Sequence, residues 1–401
     1  MKQATGVVLT GPLAPYADGF ANVLVERGYK PLTVKGQVRL MAHASRWLAA
    51  NDLTAEELTE DRVGEFLVAR RSGGYVDLLS LKAMAPLMGH LRTLGVAPPP
   101  DPVAPSALEG FLECYRGFLV AERGLAAATV TSYLHVARLF LSQRPEPARL
   151  ELAQLGGAEV IDFVLRECRG RSPGSTEYVV CGLRSLLRFL YVDGRTTDQL
   201  ASAVPTAPSW RLRWLPRSVN ADTVTRLLRS CDRRTTSGRR DFAVLTLLVR
   251  LVLRRGEVAA LSLGDIDWRA GELVIRGKGR REERLPLPAD VGAALAGWLR
   301  RGRPRLACPN VFTRVHAPAG PLSPGGVSCV VTAAARRAGL SGVNAHRLRH
   351  TAATQMLRAG ANLTEVGQVL RQRSLLTTAA YAKVDLDALR TVAQPWPGGV
   401  A

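Results

Sequence analysis

The chain has 401 residues, 47% of them hydrophobic, which suits two or three domains with apolar cores of their own and excludes a disordered tail. Its 54 Lys and Arg against 34 Asp and Glu leave a formal charge of +20, nearly all supplied by arginine. Such an excess makes polyanions the expected partners, nucleic acid first and an anionic membrane surface second. The longest apolar run, Phe242 to Leu253, is broken by Thr246 and Arg250 and falls far short of the roughly 20 residues a membrane span needs. The chain opens on no signal sequence. The six cysteines are scattered without a C-x-x-C pair, against both structural zinc and a disulfide framework. A reduced, cytoplasmic setting is the simplest fit. With no phosphate-binding G-x-x-x-x-G-K-[ST] loop, no nucleotide is expected, and no other cofactor or metal.

Residues 12–95 read as helical, most clearly over Asp18–Arg27 and Val34–Ala50, where apolar residues recur at three- and four-residue spacing. Asp18 is placed to cap the first of these, and Thr54-Ala55-Glu56-Glu57 reads as a further helix start. The proline-rich stretch Gly95–Pro105 cannot continue a helix and reads as a stiff linker. Helices are expected again over Leu108–Glu122, Thr129–Ser142, Gly157–Glu167 and Ser175–Val192. Leu24–Val34 resembles Val120–Val130 at an offset of 96 residues, Glu-Arg-Gly ending one helix and Thr33 or Thr129 capping the next, as in a duplicated small helical domain. Residues 201–218 set Pro205, Pro208 and Pro216 among Trp210, Arg211, Arg213, Trp214 and Arg217. This is either a hinge whose tryptophans cover a domain edge or a strap that lays Arg211, Arg213 and Arg217 on DNA phosphates.

Beyond Asn220, helices are expected at Ala221–Ser230, Arg239–Leu253 and Arg255–Leu261, then strands at Asp265–Trp268, Glu272–Arg276 and Glu283–Leu287. Gly277-Lys278-Gly279-Arg280 forms the hairpin tip between the last two strands. Helices follow at Ala289–Arg300, Pro324–Ala338, Asn344–Ala359, Leu363–Arg371, Leu375–Ala382 and Leu386–Ala393. The fold class is therefore mostly α with one small antiparallel sheet in the C-terminal domain. The expected divisions are helical domains at 1–100 and 105–200, a basic linker at 201–217 and a C-terminal domain at 218–401. Cys231 and Cys329 are expected as small buried apolar residues.

The chemistry concentrates late in the chain. If His346-Arg347-Leu348-Arg349-His350 is helical, His346, Arg349 and His350 share one face and Arg347 points elsewhere. That face offers imidazole N–H groups and a guanidinium fork, donors that fit the oxygens of a phosphate. Tyr381 offers a hydroxyl able to attack phosphorus and carry a covalent intermediate.

Four pieces stand in order: Leu253-Arg254-Arg255-Gly256-Glu257-Val258, Gly277-Lys278-Gly279, His346-Arg347-Leu348-Arg349-His350, and Tyr381. Together they resemble the tyrosine recombinase (phage integrase) family over about residues 106–393. The resemblance implies a DNA breaking-rejoining catalytic fold preceded by SAM-like helical domains. By the same resemblance Arg254, Lys278, His346, Arg349 and Tyr381 are the catalytic residues. The implied reaction is attack of Tyr381 on a DNA phosphodiester, giving a 3′-phosphotyrosine and a free 5′-hydroxyl, followed by strand exchange. The implied partners are specific duplex sites and, as the active assembly, four protomers on two sites; a tail at 384–401 could dock on a neighbour.

Residue chemistry suits those roles. Negative charge accumulates on two equatorial phosphate oxygens in the transition state, and Arg254 and Arg349 cannot lose their charge. A free tyrosine has a pKa of about 10, so His346 either accepts its proton or helps the arginines lower that pKa. Lys278 can protonate the departing 5′-oxygen. Glu257 is expected to orient an arginine, and His350 to support the helix or Glu257. Two departures from the family pattern stand out. Nine residues before Tyr381, where the family has His or Trp in a Leu-Gly-His context, this chain has Leu370-Arg371-Gln372; Gln372 can donate an N–H but cannot share a proton. Val252-Leu253 stands where the family has Thr/Ala-Gly-Leu, read here as packing. Gln372 leaves a catalytically weakened DNA-binding relative as one alternative, and a type IB topoisomerase shares the same chemistry.

Overall fold

The computed structural model describes residues 6–100, 106–144, 151–206, 219–277 and 282–371. Lys278, the linker arginines Arg211, Arg213 and Arg217, Gln372, Tyr381 and the helices expected at 375–382 and 386–393 lie outside the described residues. Contacts divide the chain into one unit of residues 1–99 with 214–401 and another of residues 100–213. The mostly helical class with one small antiparallel sheet is what the structure has. No helix among the described residues is long and apolar enough to cross a membrane.

In the first unit, α1 (Ala17–Glu26), α2 (Pro31–Ala50), α3 (Glu60–Ser72) and α4 (Leu81–Thr93) close over Phe20, Leu24, Met41, Leu48, Phe66 and Leu91. Several expected starts move. Asp18 lies inside the first turn of α1, because a 3₁₀ turn at Ala14–Tyr16 runs straight into that helix. Thr33 lies inside α2, which begins at Pro31, a residue whose fixed φ suits the first helical position. Thr54 and Glu57 do bond, Glu57 Oε2 accepting the Thr54 N–H at 2.8 Å, but they close a lone turn. The helix starts at Glu60, where Thr59 accepts the Arg62 N–H. Glu-Arg-Gly ends α1 as expected: Gly28 takes φ +79, and Tyr29 N–H returns to the Leu24 carbonyl at 3.0 Å. The Arg27 carbonyl of this turn also accepts the Ala319 N–H at 2.8 Å, bonding it to a loop of the C-terminal part.

The second unit packs α5 (Ala107–Gly117), its π-helical extension Phe118–Glu122, α6 (Ala127–Ser142), α7 (Gly157–Cys168) and α8 (Pro173–Val192) around one core. Phe189 stands at its centre, its ring 5.1 Å from Tyr115 and from Phe118. A Cβ on Gly182 would lie 2.9 Å from Val136, so only glycine lets α8 approach α6 so closely. Thr129 again falls within its helix, which begins two residues earlier. The turn before it ends as the repeat predicts, with Gly124 at φ +56.

The C-terminal part of the first unit is built on α10 (Thr236–Arg250), whose Val244, Leu245, Leu247 and Leu248 are buried. Packed around it are α9 (Ala221–Arg229), α12 (Ala289–Arg301), α13 (Pro324–Arg337) and α14 (Ala345–Arg358), while the short α11 (Arg255–Ala260) lies on α13. The strands β1 (Ile266–Asp267), β2 (Glu272–Arg276) and β3 (Glu282–Pro286) form one antiparallel sheet in sequence order, with Leu273 opposite Ile266 and Leu285. Trp298 is fully buried, with its indole N–H on the Val311 carbonyl at 2.8 Å. Cys231 is buried, but Cys329 is exposed, because α13 turns Val327, Val330 and Val331 inward and carries residue 329 on the other side. The last described helix is α15 (Leu363–Val369).

Candidate active site

The helix expected to run to Leu253 ends at Arg250, and Val252 turns left-handed at φ +53. This break makes Arg254 the N-cap of α11. Glu257, the third residue of that helix, accepts the Arg254 backbone N–H at 2.8 Å and its Nη1 at 2.7 Å. One carboxylate thus starts the helix and holds the guanidinium. Glu257 is buried, and its second oxygen also takes Arg371 Nη2 at 2.8 Å. Burial by itself would raise the Glu257 pKa, but the Arg254 N–H, the Arg371 charge and the Arg254 guanidinium outweigh it and hold the carboxyl below its ordinary value. Glu257 therefore orients two arginines.

Helix α14 brings in the second cation. Asn344 caps it, accepting the Arg347 N–H at 2.8 Å. Arg347 turns aside to the Gly342 carbonyl, as its place on the helix predicts. Arg349 is buried and donates Nη1 to the Val252 carbonyl and Nη2 to the Leu370 carbonyl. Arg254 Nη2 reaches the same Leu370 oxygen at 3.4 Å and the Arg371 carbonyl at 2.9 Å. Two guanidinium groups from distant parts of the chain thus meet at one oxygen. Packing is only half the account of Val252. Its side chain is buried beside Ala353, Leu357 and Val366, but its left-handed backbone is one that glycine takes freely and a β-branched residue takes at a cost. That conformation aims the Val252 carbonyl at Arg349.

His350 pairs with His346 one turn earlier on the same helix: their Nε2 atoms are 2.8 Å apart and their rings are edge-on at 75°. One nitrogen must donate and the other accept, so the contact needs at least one neutral ring. Loss of solvent lowers the His350 pKa to about 4, helped by His346 and Arg349. Desolvation, then Arg349 and Arg255, hold His346 below its ordinary value. A depressed histidine favours the neutral form in the fold, so its contribution is present above the unfolded pKa and is lost as pH falls. For His350 the window runs from 6.5 down to about 4. His350→Gln is expected to reduce, not abolish, the loss of thermal stability across it, because His43, His90 and His346 are lowered too. A melting series by circular dichroism at several pH values reads this; an unchanged slope would contradict it.

Of the residues singled out from the sequence, Arg254, Arg349 and Glu257 are joined through contacts around the Leu370 carbonyl, and His346 and His350 pair on the helix that carries Arg349. Arg371 was passed over, although an arginine in the Leu-Gly-His context was a visible signal. Among the described residues, no three His, Cys, Asp or Glu side chains group so as to hold a metal ion.

Residues 217–387 match the phage integrase family. An integrase/recombinase of Sinorhizobium fredii, y4rA, is 41% identical over 393 residues, covering 97% of this chain and 95% of its own. Tyrosine recombinase XerD of Mycobacterium tuberculosis is 34% identical over 304 residues, covering 72% of this chain and 96% of its own. In fold, the chain is similar to XerH site-specific recombinase bound to palindromic difH substrate, with TM-score 0.54 and 18% identity over 82% of this chain and 93% of that one. A lambda integrase tetramer bound to a Holliday junction gives TM-score 0.53 and 17% identity, over 74% and 85% of the two chains. The chain belongs to the phage integrase family. It is a tyrosine recombinase, of the class that cleaves and rejoins DNA through a 3′-phosphotyrosine link.

Proposed function

We propose that this protein recombines specific duplex DNA sites, with Tyr381 as nucleophile and Arg254 and Arg349 as the cations that absorb the charge of the transition state. The observation that carries the assignment is the convergence of both guanidinium groups on the Leu370 oxygen. Donors that already meet at one oxygen need little reorganisation to meet a phosphoryl oxygen in its place, and that preorganisation is the main source of such catalysis. His346 accepts or shares the tyrosine proton, and Lys278 protonates the departing 5′-oxygen. Gln372 donates an N–H to the same phosphate, while Arg211, Arg213 and Arg217 bind backbone phosphates on the linker. The phosphotyrosine keeps the energy of the broken ester, so rejoining needs no nucleotide. The DNA-bound and tetrameric states named for XerH and lambda integrase support four protomers on two sites as the active assembly. The cytoplasm, and the nucleoid during the reaction, is the proposed location.

The test starts by selecting the bound site from a randomised duplex library. A nicked substrate built on that site, which loses its short 5′-hydroxyl fragment after cleavage, should trap the wild-type protein as a covalent adduct, and Tyr381→Phe should form none. Binding with a steep salt dependence, log K falling by roughly 0.9 per phosphate neutralised, but with no adduct from wild type would instead mark a DNA-binding relative. Relaxation of supercoils without exchange between two sites would mark a topoisomerase.

A further inference from the structure

We propose that Arg371 is a positioning residue for strand cleavage, a third guanidinium that fixes Arg254 from both ends. Three observations point to it. The Arg371 side chain is 7% exposed, and burying a cation is costly unless it is paired. Its backbone is left-handed at φ +51, an unfavourable state for any residue but glycine that persists only where surroundings enforce it. And its contacts close a ring on Arg254. Arg371 Nη2 donates to Glu257 Oε2 at 2.8 Å, Glu257 Oε1 accepts Arg254 Nη1 at 2.7 Å, and Arg254 Nη2 donates to the Arg371 carbonyl at 2.9 Å. The main chain of Arg371 thus holds one Arg254 nitrogen directly, and its side chain holds the carboxylate that grips the other.

The remaining contacts extend the ring. Arg371 Nη2 lies 3.5 Å from the Val252 carbonyl, which also binds Arg349. Arg371 Nε faces Glu283 Oε2 on β3 at 3.6 Å, an ion-pair separation too long for a hydrogen bond. Arg371 therefore joins the support of both phosphate-binding arginines to the strand that leads away from the hairpin tip. Without it Glu257 would face a single guanidinium, and Arg254 would gain rotameric freedom at the step where its direction matters.

This inference rests on the reading that Arg254 grips the phosphate, and the test separates the two. Arg371→Gly is the informative variant, because glycine adopts φ +51 freely and the backbone is not disturbed. With the full chain and the selected nicked substrate at saturation, Arg371→Gly should slow adduct formation about 10- to 100-fold, since a small misplacement of a catalytic group costs that order of rate. DNA affinity should stay within about threefold, as for an interaction that serves the transition state alone. Arg371→Lys should recover part of the rate, restoring the charge but not the fork. In an Arg254→Lys background the effect of Arg371→Gly should shrink, as for two residues acting as a unit. Wild-type cleavage by Arg371→Gly, a parallel loss of affinity, or an undiminished effect in the Arg254→Lys background would each overturn the inference. Cleavage that survives Arg254→Ala would instead overturn the reading beneath it.

Discussion

Arg349→Ala is expected to lose strand cleavage and about 3 kcal/mol of stability together, whereas Arg254→Ala loses cleavage at a cost of only about 1 kcal/mol. The two arginines meet at the same oxygen but sit in different surroundings. Arg349 is buried, and its fork satisfies the carbonyls of Val252 and Leu370. Truncation leaves the Leu370 carbonyl with the longer Arg254 contact at 3.4 Å and the Val252 carbonyl with the longer Arg371 contact at 3.5 Å, and opens a space on the inner side of α14, where a poorly satisfied buried group costs roughly 1–3 kcal/mol. The Arg254 side chain is 39% exposed, so water can replace it, and Arg371 still neutralises Glu257. Removal of one preorganised donor typically costs on the order of 10²–10³ in rate, so adduct formation should fall by at least that much in both variants. Urea unfolding beside the adduct assay reads both effects. Equal unfolding midpoints for Arg349→Ala and wild type would show that the buried fork holds nothing in place.

Glu257→Ala should be the most destabilising single change near the site, at about 3–5 kcal/mol, because it removes the one carboxylate between two guanidinium groups and leaves buried Arg371 with only the longer Glu283 ion pair at 3.6 Å. It also takes away the acceptor of the Arg254 N–H at the start of α11. Glu257→Gln keeps an acceptor without the charge and should fall between the two. The sign of the pH effect follows from the lowered carboxyl pKa. The contribution of Glu257 is present above its ordinary value of 4.5 and is lost as pH falls through the lower value it has in the fold. Acid unfolding of wild type should therefore carry a component below pH 4.5 that Glu257→Gln lacks. A Glu257→Gln protein as stable as wild type at pH 7, with the same acid limb, would show that the three-residue ionic cluster contributes nothing.

The sequence by itself determined the mostly helical class, the small sheet, the placing of His346, Arg349 and His350 on one helix face, and the family. Each follows from local information: apolar spacing, turn residues and four short motifs in order. It also marked Gln372 and Val252 as departures from the family pattern and read Val252 as packing, while Arg371 passed unremarked. Local signals misled where two starts compete. Thr54 with Glu57 has the chemistry of a helix start yet closes one turn, because the stronger start lies at Thr59. Only the tertiary structure decided that Arg254 and Arg349 meet at the Leu370 oxygen, and that Arg371 closes the ring through Glu257. The physical reason is range. A helix face follows from residues three and four apart, but these contacts join residues as many as 117 apart in the chain, and a carbonyl's direction depends on a backbone turn that no side-chain pattern encodes.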